Sequence, residues 1–175
     1  FINSSNLFFN PKIGVTKEVN DKLNYYLSFA IANREPIRSD FIDSKETPEH
    51  EKLFDIEFGK NYSYKTGMLN TNFFFMKYKN QLITTGEVND VGAYIRTNVE
   101  RSRRVGIELI NQLRFGLFSL ESNLSISKNV VFDFNEVMYN YGEDFSKYEQ
   151  IINRYKKTNI SFSPNIIANN QLEFK

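Results

Sequence analysis

The sequence predicts an all-β protein built as an antiparallel up-and-down sheet. Apolar and polar side chains alternate with a period of two along most of the 175 residues. The links between alternating segments are short and long in strict succession. No unbroken apolar run exceeds four residues, whereas a transmembrane helix needs about 20. The chain is therefore expected to be made of strands, with no membrane-spanning helix.

The composition excludes several classes of protein. With 41% hydrophobic and 15% aromatic residues, the chain is too apolar for a disordered tail. Its 22 basic and 21 acidic residues leave it without the basic footprint of a nucleic-acid binder, and no nucleic-acid partner is expected. Because cysteine is absent, neither a disulfide framework nor a thiolate metal site can form.

Eight segments follow the alternation in chain order. Successive side chains of a strand point to opposite faces, so each segment has one apolar and one polar face. The two clearest are 118–127, where Phe118, Leu120 and Leu124 face away from Ser119, Glu121 and Asn123, and 159–166, where apolar and polar residues alternate in the same way. The predicted strands cover residues 7–16, 23–32, 54–62, 69–76, 105–110, 118–127 and 159–166, and an eighth begins at 171–174.

Two architectures fit a sheet with one apolar face, and the links favour one of them. In a soluble sandwich the apolar face is the core, whereas in a membrane barrel it meets lipid. The predicted short links lie at 18–22, 61–66, 112–116 and 168–170, and the long ones at 33–51, 80–102 and 128–156. Tight turns at one end and large loops at the other are typical of outer-membrane barrels. The pattern favours an antiparallel transmembrane β-barrel segment.

Aromatic residues near strand ends agree with a membrane position. Tyr25, Tyr62 and Phe115 suit the aromatic girdles at the interfaces of a barrel. The three long links differ from one another. We expect 33–51 to be a solvated loop and 80–102 to fold back as a hairpin. Within 128–156, helical spacing is shown by Phe145, Tyr148, Ile151, Ile152 and Tyr155, which predicts either a short amphipathic helix or an irregular loop.

Candidate functional residues lie on the polar face, and none of them forms an enzymatic motif. His50 is the only histidine, so nucleophile–histidine pairs and zinc sites lack partners. We expect no catalytic residue, no metal site and no cofactor. Asp55, Glu57 and Glu108 share the polar face, and together with Arg34 they are expected to form an ion-pair lattice on a lumen wall. These four residues are the candidate lumen or rim contacts of a ligand.

A series of short motifs resembles one family of membrane proteins. The motifs appear in the order Tyr-Leu-Ser-Phe-Ala-Ile-Ala-Asn-Arg-Glu-Pro at 26–36, Glu-Lys-Leu-Phe-Asp-Ile-Glu-Phe-Gly at 51–59, Phe-Phe-Met-Lys-Tyr-Lys-Asn-Gln-Leu at 74–82, Gly-Glu-Val-Asn-Asp-Val-Gly at 86–92, Gly-Ile-Glu-Leu at 106–109 and Ser-Phe-Ser-Pro at 161–164. This ordered series covers nearly the whole chain and resembles TonB-dependent outer-membrane receptors, especially those of Bacteroidetes.

The resemblance implies a location in the bacterial outer membrane and a transport function. Such receptors have 22-stranded barrels closed by a plug domain, and they take up iron-siderophores, haem, cobalamin or oligosaccharides with energy from the TonB complex. Residues 1–175 would be a partial barrel domain of about eight strands, without the plug and the terminal strands. Since the chain starts at Phe1 with no signal peptide, we expect it to be an internal piece of a longer protein.

The partners implied by the resemblance are outer-membrane lipid, the receptor's own plug domain, the TonB complex and an imported small ligand or glycan. They could include a surface lipoprotein. Two other functions stay open at this point: a soluble β-sandwich adhesin or binding module, and a plugless outer-membrane porin.

Overall fold

The computed structural model describes residues 6–43, 46–143 and 148–175 and contains one antiparallel sheet. The strands are β1 Lys12–Asn20, β2 Leu23–Arg34, β3 Glu51–Tyr64, β4 Gly67–Val88, β5 Tyr94–Phe115, β6 Phe118–Asn140, β7 Glu149–Asn159 and β8 Ile166–Phe174, with a short helix α1 at Arg38–Asp43. The all-β, antiparallel prediction is confirmed. Within the described ranges, no helix is long and apolar enough to cross a membrane.

The strands follow one another around the sheet in sequence order from β1 to β7. Two-residue links at 21–22, 65–66 and 116–117 join consecutive strands at one end of the sheet, where the strands turn, and we call this end the turn rim. The links 35–50, 89–93 and 141–148 lie at the opposite end, which we call the loop rim. The predicted segregation of tight turns and longer connections to opposite ends is therefore confirmed.

The last two strands are two halves of one pass across the sheet. β7 pairs with the 130–140 half of β6, and β8 pairs with its 118–126 half. The predicted strand at 159–166 is wrong, because this segment is the interruption between the halves, and the predicted turn at 168–170 lies inside β8. Phe162 has a φ of 55°, and Pro164 has no N–H to donate, so neither suits a continuous ladder.

Strands β4, β5 and β6 are much longer than a strand that crosses the apolar part of a bilayer. β4 and β5 have 22 residues each and β6 has 23, or about 70 Å at 3.3 Å per residue, against an apolar band of about 25 Å. The links predicted at 80–102 and 128–156 are mostly strand, and the hairpin expected at 80–102 is confirmed. Residues 149–155 form neither the predicted helix nor the predicted irregular loop, because β6 pairs with residues 149–159. Phe145 lies outside the described residues.

Strand register places the apolar side chains in continuous rows on the convex face. One row contains Val15, Leu27, Phe58, Phe73, Ile107, Ile126 and Ile166. The next row towards the loop rim contains Ile13, Phe29, Ile56, Phe75 and Val105. Apart from the half-buried Ile107, these side chains are exposed, with Phe73 at 49% and Ile126 at 46%. We call these two rows the apolar band.

The buried apolar core lies near the loop rim instead of in the barrel wall. It consists of Ile83, Val99, Val131, Phe134 and Ile160. β5 pairs with β6 only as far as Ser102↔Val131, and beyond that point the β4–β5 hairpin bends over the concave face. At its tip, the Tyr94 ring lies 5.8 Å from the Phe162 ring. The bent hairpin buries apolar side chains that a straight extension would expose to water.

Two glycines of the wall make room for aromatic rings from the neighbouring strand. A Cβ on Gly59 would lie 2.1 Å from the Tyr26 ring, and a Cβ on Gly106 would lie 2.7 Å from Phe74 Cζ and 2.6 Å from the Ile126 carbonyl oxygen. Both pairs are directly opposite in the register. The rings cover the exposed backbone of the glycines, so the glycines and aromatics fit together.

The substitution Gly106→Ala is expected to lower the free energy of unfolding by about 1–3 kcal/mol, because overpacking forces the Phe74 ring and the backbone of β6 to move. The measurement is urea unfolding of the full-length protein in detergent micelles. Gly14→Ala is the control, since a Cβ there meets its nearest atom at 3.5 Å, an ordinary contact. Equal losses for the two variants would contradict the role of the close contact at Gly106.

Candidate functional site

The candidate site is the concave face of the sheet, where the polar side chains converge. Asp55 and Glu57 lie on β3 and Glu108 lies on β5. Glu57 and Glu108 line one concavity together with Asn72 and Ser125. Asp55, Glu57 and Gly59 are two residues apart along β3 and so lie on the same face. Gly59 is opposite Asn72, and Asn72 is opposite Glu108. The expectation that the three carboxylates share one polar face is therefore confirmed.

The expected ion-pair lattice between Arg34 and these carboxylates is wrong. Arg34 Nε forms an ion pair with Glu51 Oε2 instead, and Glu51 Oε1 accepts the backbone N–H of Leu82 at 2.7 Å. Among the described residues, no ion pair joins Arg34 to Asp55, Glu57 or Glu108. Glu51 is directly opposite Arg34 in the register, whereas Asp55 is four residues, or about 13 Å, further along β3.

The concave face also contains buried polar atoms that have no hydrogen-bond partner. They are Asp55 Oδ1, Asn72 Oδ1, Arg104 Nε and Asn165 Oδ1. Asp55, Met76 and Arg104 are consecutive partners across three strands, and Asn72 lies four residues from Met76 along β4, so these atoms are spread along one stretch of the wall. An unsatisfied buried polar group costs about 1–3 kcal/mol. Water or a bound polar group can supply hydrogen bonds to these atoms.

Arg104 is the central charge of the concave face, and it was not among the predicted site residues. It lines two neighbouring concavities, one with Arg34, Glu51 and Tyr78, the other with Glu57 and Glu108. Its guanidinium carbon lies 5.9 Å from the centroid of the Tyr78 ring. The alternation around Gly106 already placed position 104 on the polar side, so the sequence carried a signal for it. Asn165 was likewise on the polar side of the predicted strand 159–166, but the structure places it in the interruption between β7 and β8.

The long link at 35–50 is held against the β4–β5 hairpin. Arg96 donates to both carboxylate oxygens of Asp40, from Nε at 2.9 Å and from its terminal nitrogen at 2.7 Å. The same carboxylate accepts the backbone N–H of Ile37 at 2.8 Å. Asp40 is 4% exposed, so the prediction of a solvated loop is wrong at this point. A second contact joins Asn98 Nδ2 to the Glu49 carbonyl oxygen at 2.9 Å.

The side chains of the concave face can bind a polar partner through hydrogen bonds. No group of three or more histidine, cysteine, aspartate or glutamate side chains within the described ranges could hold a metal ion. His50 is engaged with an aromatic ring, its centroid 5.1 Å from that of Phe8. Carboxylates, amides and the guanidiniums of Arg34 and Arg104 are arranged on the sheet, which can position hydrogen bonds to a bound partner.

Comparison with known proteins gives structural relatives only. No model of a protein family matches the sequence, and no curated protein matches it either. The FrpB iron transporter from Neisseria meningitidis (F3-3 variant) is similar over 71% of this chain and 20% of its own, with a TM-score of 0.56 and 23% identity. The copper transporter OprC is similar over 67% of this chain and 20% of its own, with a TM-score of 0.58 and 15% identity.

The apoprotein form of a second FrpB variant, F5-1, has a TM-score of 0.55 and 22% identity over 71% of this chain. The chain spans about one fifth of the length of each of these transporters. At such identities the similarity concerns the fold. The chain has the fold of one segment of an outer-membrane transporter barrel.

Proposed function

We propose that this chain forms part of the barrel wall of a TonB-dependent outer-membrane transporter. The observation that carries the proposal is the two-sided sheet. Its convex face presents rows of exposed apolar side chains that no other described element covers, and its concave face is polar. Soluble monomers rarely expose apolar patches of more than a few hundred Å², whereas the outer face of a membrane barrel is apolar by requirement.

The two rims give the wall an orientation in the outer membrane. In barrels of this class, tight turns face the periplasm and long connections face the outside. The turn rim of this chain has two-residue links, and the loop rim has strands that project beyond the apolar band. Rings of Phe115, Phe118 and Phe174 meet near the turn rim, with centroids 5.5 and 5.2 Å apart, and they would form an interfacial girdle.

The transport function follows from the concave face. The unpartnered atoms of Asp55, Asn72 and Arg104 suit contact with a plug domain or an imported ligand. Arg34, Asp55, Glu57 and Glu108 stay candidate lumen or rim contacts. The structural relatives are iron and copper transporters, which favours a metal-containing ligand such as a ferric siderophore, haem or cobalamin over an oligosaccharide. The TonB complex, a surface lipoprotein and a Bacteroidetes origin stay predictions from the resemblance.

The alternatives differ from this proposal in what they require. A soluble β-sandwich needs a second sheet over the apolar face, and the described residues form one sheet. A plugless porin shares the wall but conducts passively. Uptake that does not depend on the TonB complex would distinguish the porin from the proposed transporter.

The test is uptake by cells that express the full-length protein. Radiolabelled ferric siderophore, haem, cobalamin and maltooligosaccharide serve as probes, offered to matched strains with and without the TonB complex. We expect accumulation of at least one metal-containing probe, lost without TonB. In isolated outer membranes, the unboiled protein should migrate faster in SDS gels than the boiled protein. Passive uptake independent of TonB would identify a porin, and a water-soluble monomer would refute the barrel.

A further inference from the structure

A block of basic side chains lies on the convex face, on the loop-rim side of the apolar band. It consists of Lys52 on β3, Lys77 and Lys79 on β4, and Arg101 and Arg103 on β5, and we call it the basic array. The register puts these residues in adjacent rows on three neighbouring strands. Lys52, Lys79 and Arg101 are consecutive partners in one row, and Lys77 is opposite Arg103 in the next.

The array lacks the counter-charges that such an arrangement needs. Like charges directly opposite each other on a sheet are destabilising. Within the part of the chain that the structure describes, its one ion pair joins Arg101 to Asp133 at 2.9 Å. The chain as a whole has a net charge of +1, so the excess of positive charge is local. Lys77, Lys79, Arg101 and Arg103 are exposed and available to an anion from outside the chain.

Aromatic rings support the cations and join the array to the apolar band. The guanidinium carbons of Arg101 and Arg103 lie 5.6 and 5.5 Å from the centroid of the Phe132 ring. Lys52 Nζ lies 5.0 Å from that of Phe54. Contacts of this kind hold cations against aromatic faces. In the row immediately towards the turn rim, Phe75 and Val105 are exposed and apolar.

We propose that the basic array and the adjoining rows bind an anionic, phosphate-bearing lipid of the surrounding leaflet. Its phosphate groups would be bound by the array, and its acyl chains would lie along Phe75 and Val105. Arginine suits this role because its planar fork binds phosphate oxygens in pairs. A free phosphate ion would use the cations but not the apolar rows. This inference rests on the proposed function, since it requires the convex face to be in lipid.

The test is native mass spectrometry of the full-length protein released from nanodiscs that contain equal amounts of phosphatidylcholine and phosphatidylglycerol. We expect bound phosphatidylglycerol on the unmodified protein. In the variant K77Q/K79Q/R101Q/R103Q, apparent affinity should fall at least about tenfold, because each basic residue near an anionic surface contributes roughly fivefold. The control K22Q/K65Q/R114Q/K175Q removes the same charge from the turn-rim side and should keep its phosphatidylglycerol.

Unchanged phosphatidylglycerol binding in the array variant would overturn the proposal, as would an equal loss in the control. Complete displacement by inorganic phosphate would show a simple anion site and would also overturn it. If the fourfold variant fails to fold, K77Q/K79Q tests the same proposal, and we expect it to lose part of its phosphatidylglycerol binding. Heat-modifiable migration of the unmodified protein is scored separately, so failure of the barrel proposal is distinguishable from failure of the lipid site.

Discussion

The substitution Ile126→Arg is expected to destabilise the folded protein in a bilayer by about 2–4 kcal/mol, the cost of an arginine near the midplane on the lipid face of a barrel. Ile126 lies within the apolar band, between Ile107 on β5 and Ile166 on β8. Its side chain is exposed on the convex face. An arginine there would place its guanidinium among acyl chains, with no carboxylate in the neighbouring rows to receive it.

The adjacent substitution Ser125→Arg provides a matched control. Ser125 belongs to the same strand but faces the concave side, directly opposite Glu108. An arginine at this position finds water and a carboxylate, and we expect a change within about 0.5 kcal/mol, as for most surface substitutions. The two variants add the same side chain at neighbouring positions, so any difference between them reports which face is in lipid.

The measurement is the urea dependence of the folded fraction in phosphatidylcholine vesicles, read as the faster-migrating band of unboiled samples. A sheet that works in water would give the opposite order. There, Ile126→Arg would improve solubility at little cost, and such a result would count directly against the membrane barrel.

The substitution Asp40→Ala is expected to release the link at 35–50 from the β4–β5 hairpin. It removes the carboxylate that Arg96 binds through two nitrogens and leaves a cation that is 25% exposed. Loss of one partner of a largely buried pair costs about 3 kcal/mol. The backbone N–H of Ile37 also loses its acceptor. Amide hydrogens of α1 should therefore exchange about 100-fold faster, while those of the barrel wall stay unchanged.

Hydrogen exchange followed by mass spectrometry of peptides covering 35–43 and 105–110 separates the local from the global effect. Glu35→Ala serves as the control because Glu35 is an exposed acid of the same link. Asp40→Asn keeps the shape and the bond to Ile37 but loses the charge, so an intermediate effect is expected. If exchange at α1 is the same in Asp40→Ala and Glu35→Ala, the Arg96 contact does not hold the link.

The polar face of the candidate site was predictable from the sequence, but its pairings were not. Alternation along one strand is enough to place Glu57 and Glu108 on the same side as Asp55. It cannot tell that Arg34 meets Glu51, because that contact depends on the register in which β2 and β3 pair. Arg104 was visible as a polar-side residue, yet its central position becomes apparent only when β3, β4 and β5 are side by side.

The segments that follow β6 also could not be assigned correctly from the sequence alone. Ile151, Ile152 and Tyr155 belong to the set whose spacing predicts a helix, but they lie in β7, because residues 149–159 pair with β6. The tertiary pairing overrides the local preference. The segment at 160–165 keeps a period of two but is an interruption, where the positive φ of Phe162 breaks the ladder.

The sequence by itself determined the all-β class, the alternation of faces, the absence of a membrane-spanning helix and the segregation of tight turns to one rim. These are local properties, because side-chain direction repeats every two residues and tight turns need only a few residues. The tertiary structure alone decided that the β4–β5 hairpin bends over the concave face, that Asp40 fixes the adjacent link and that five cations meet in one array. Each of these depends on register between strands far apart in the chain, which the period of a single strand does not specify.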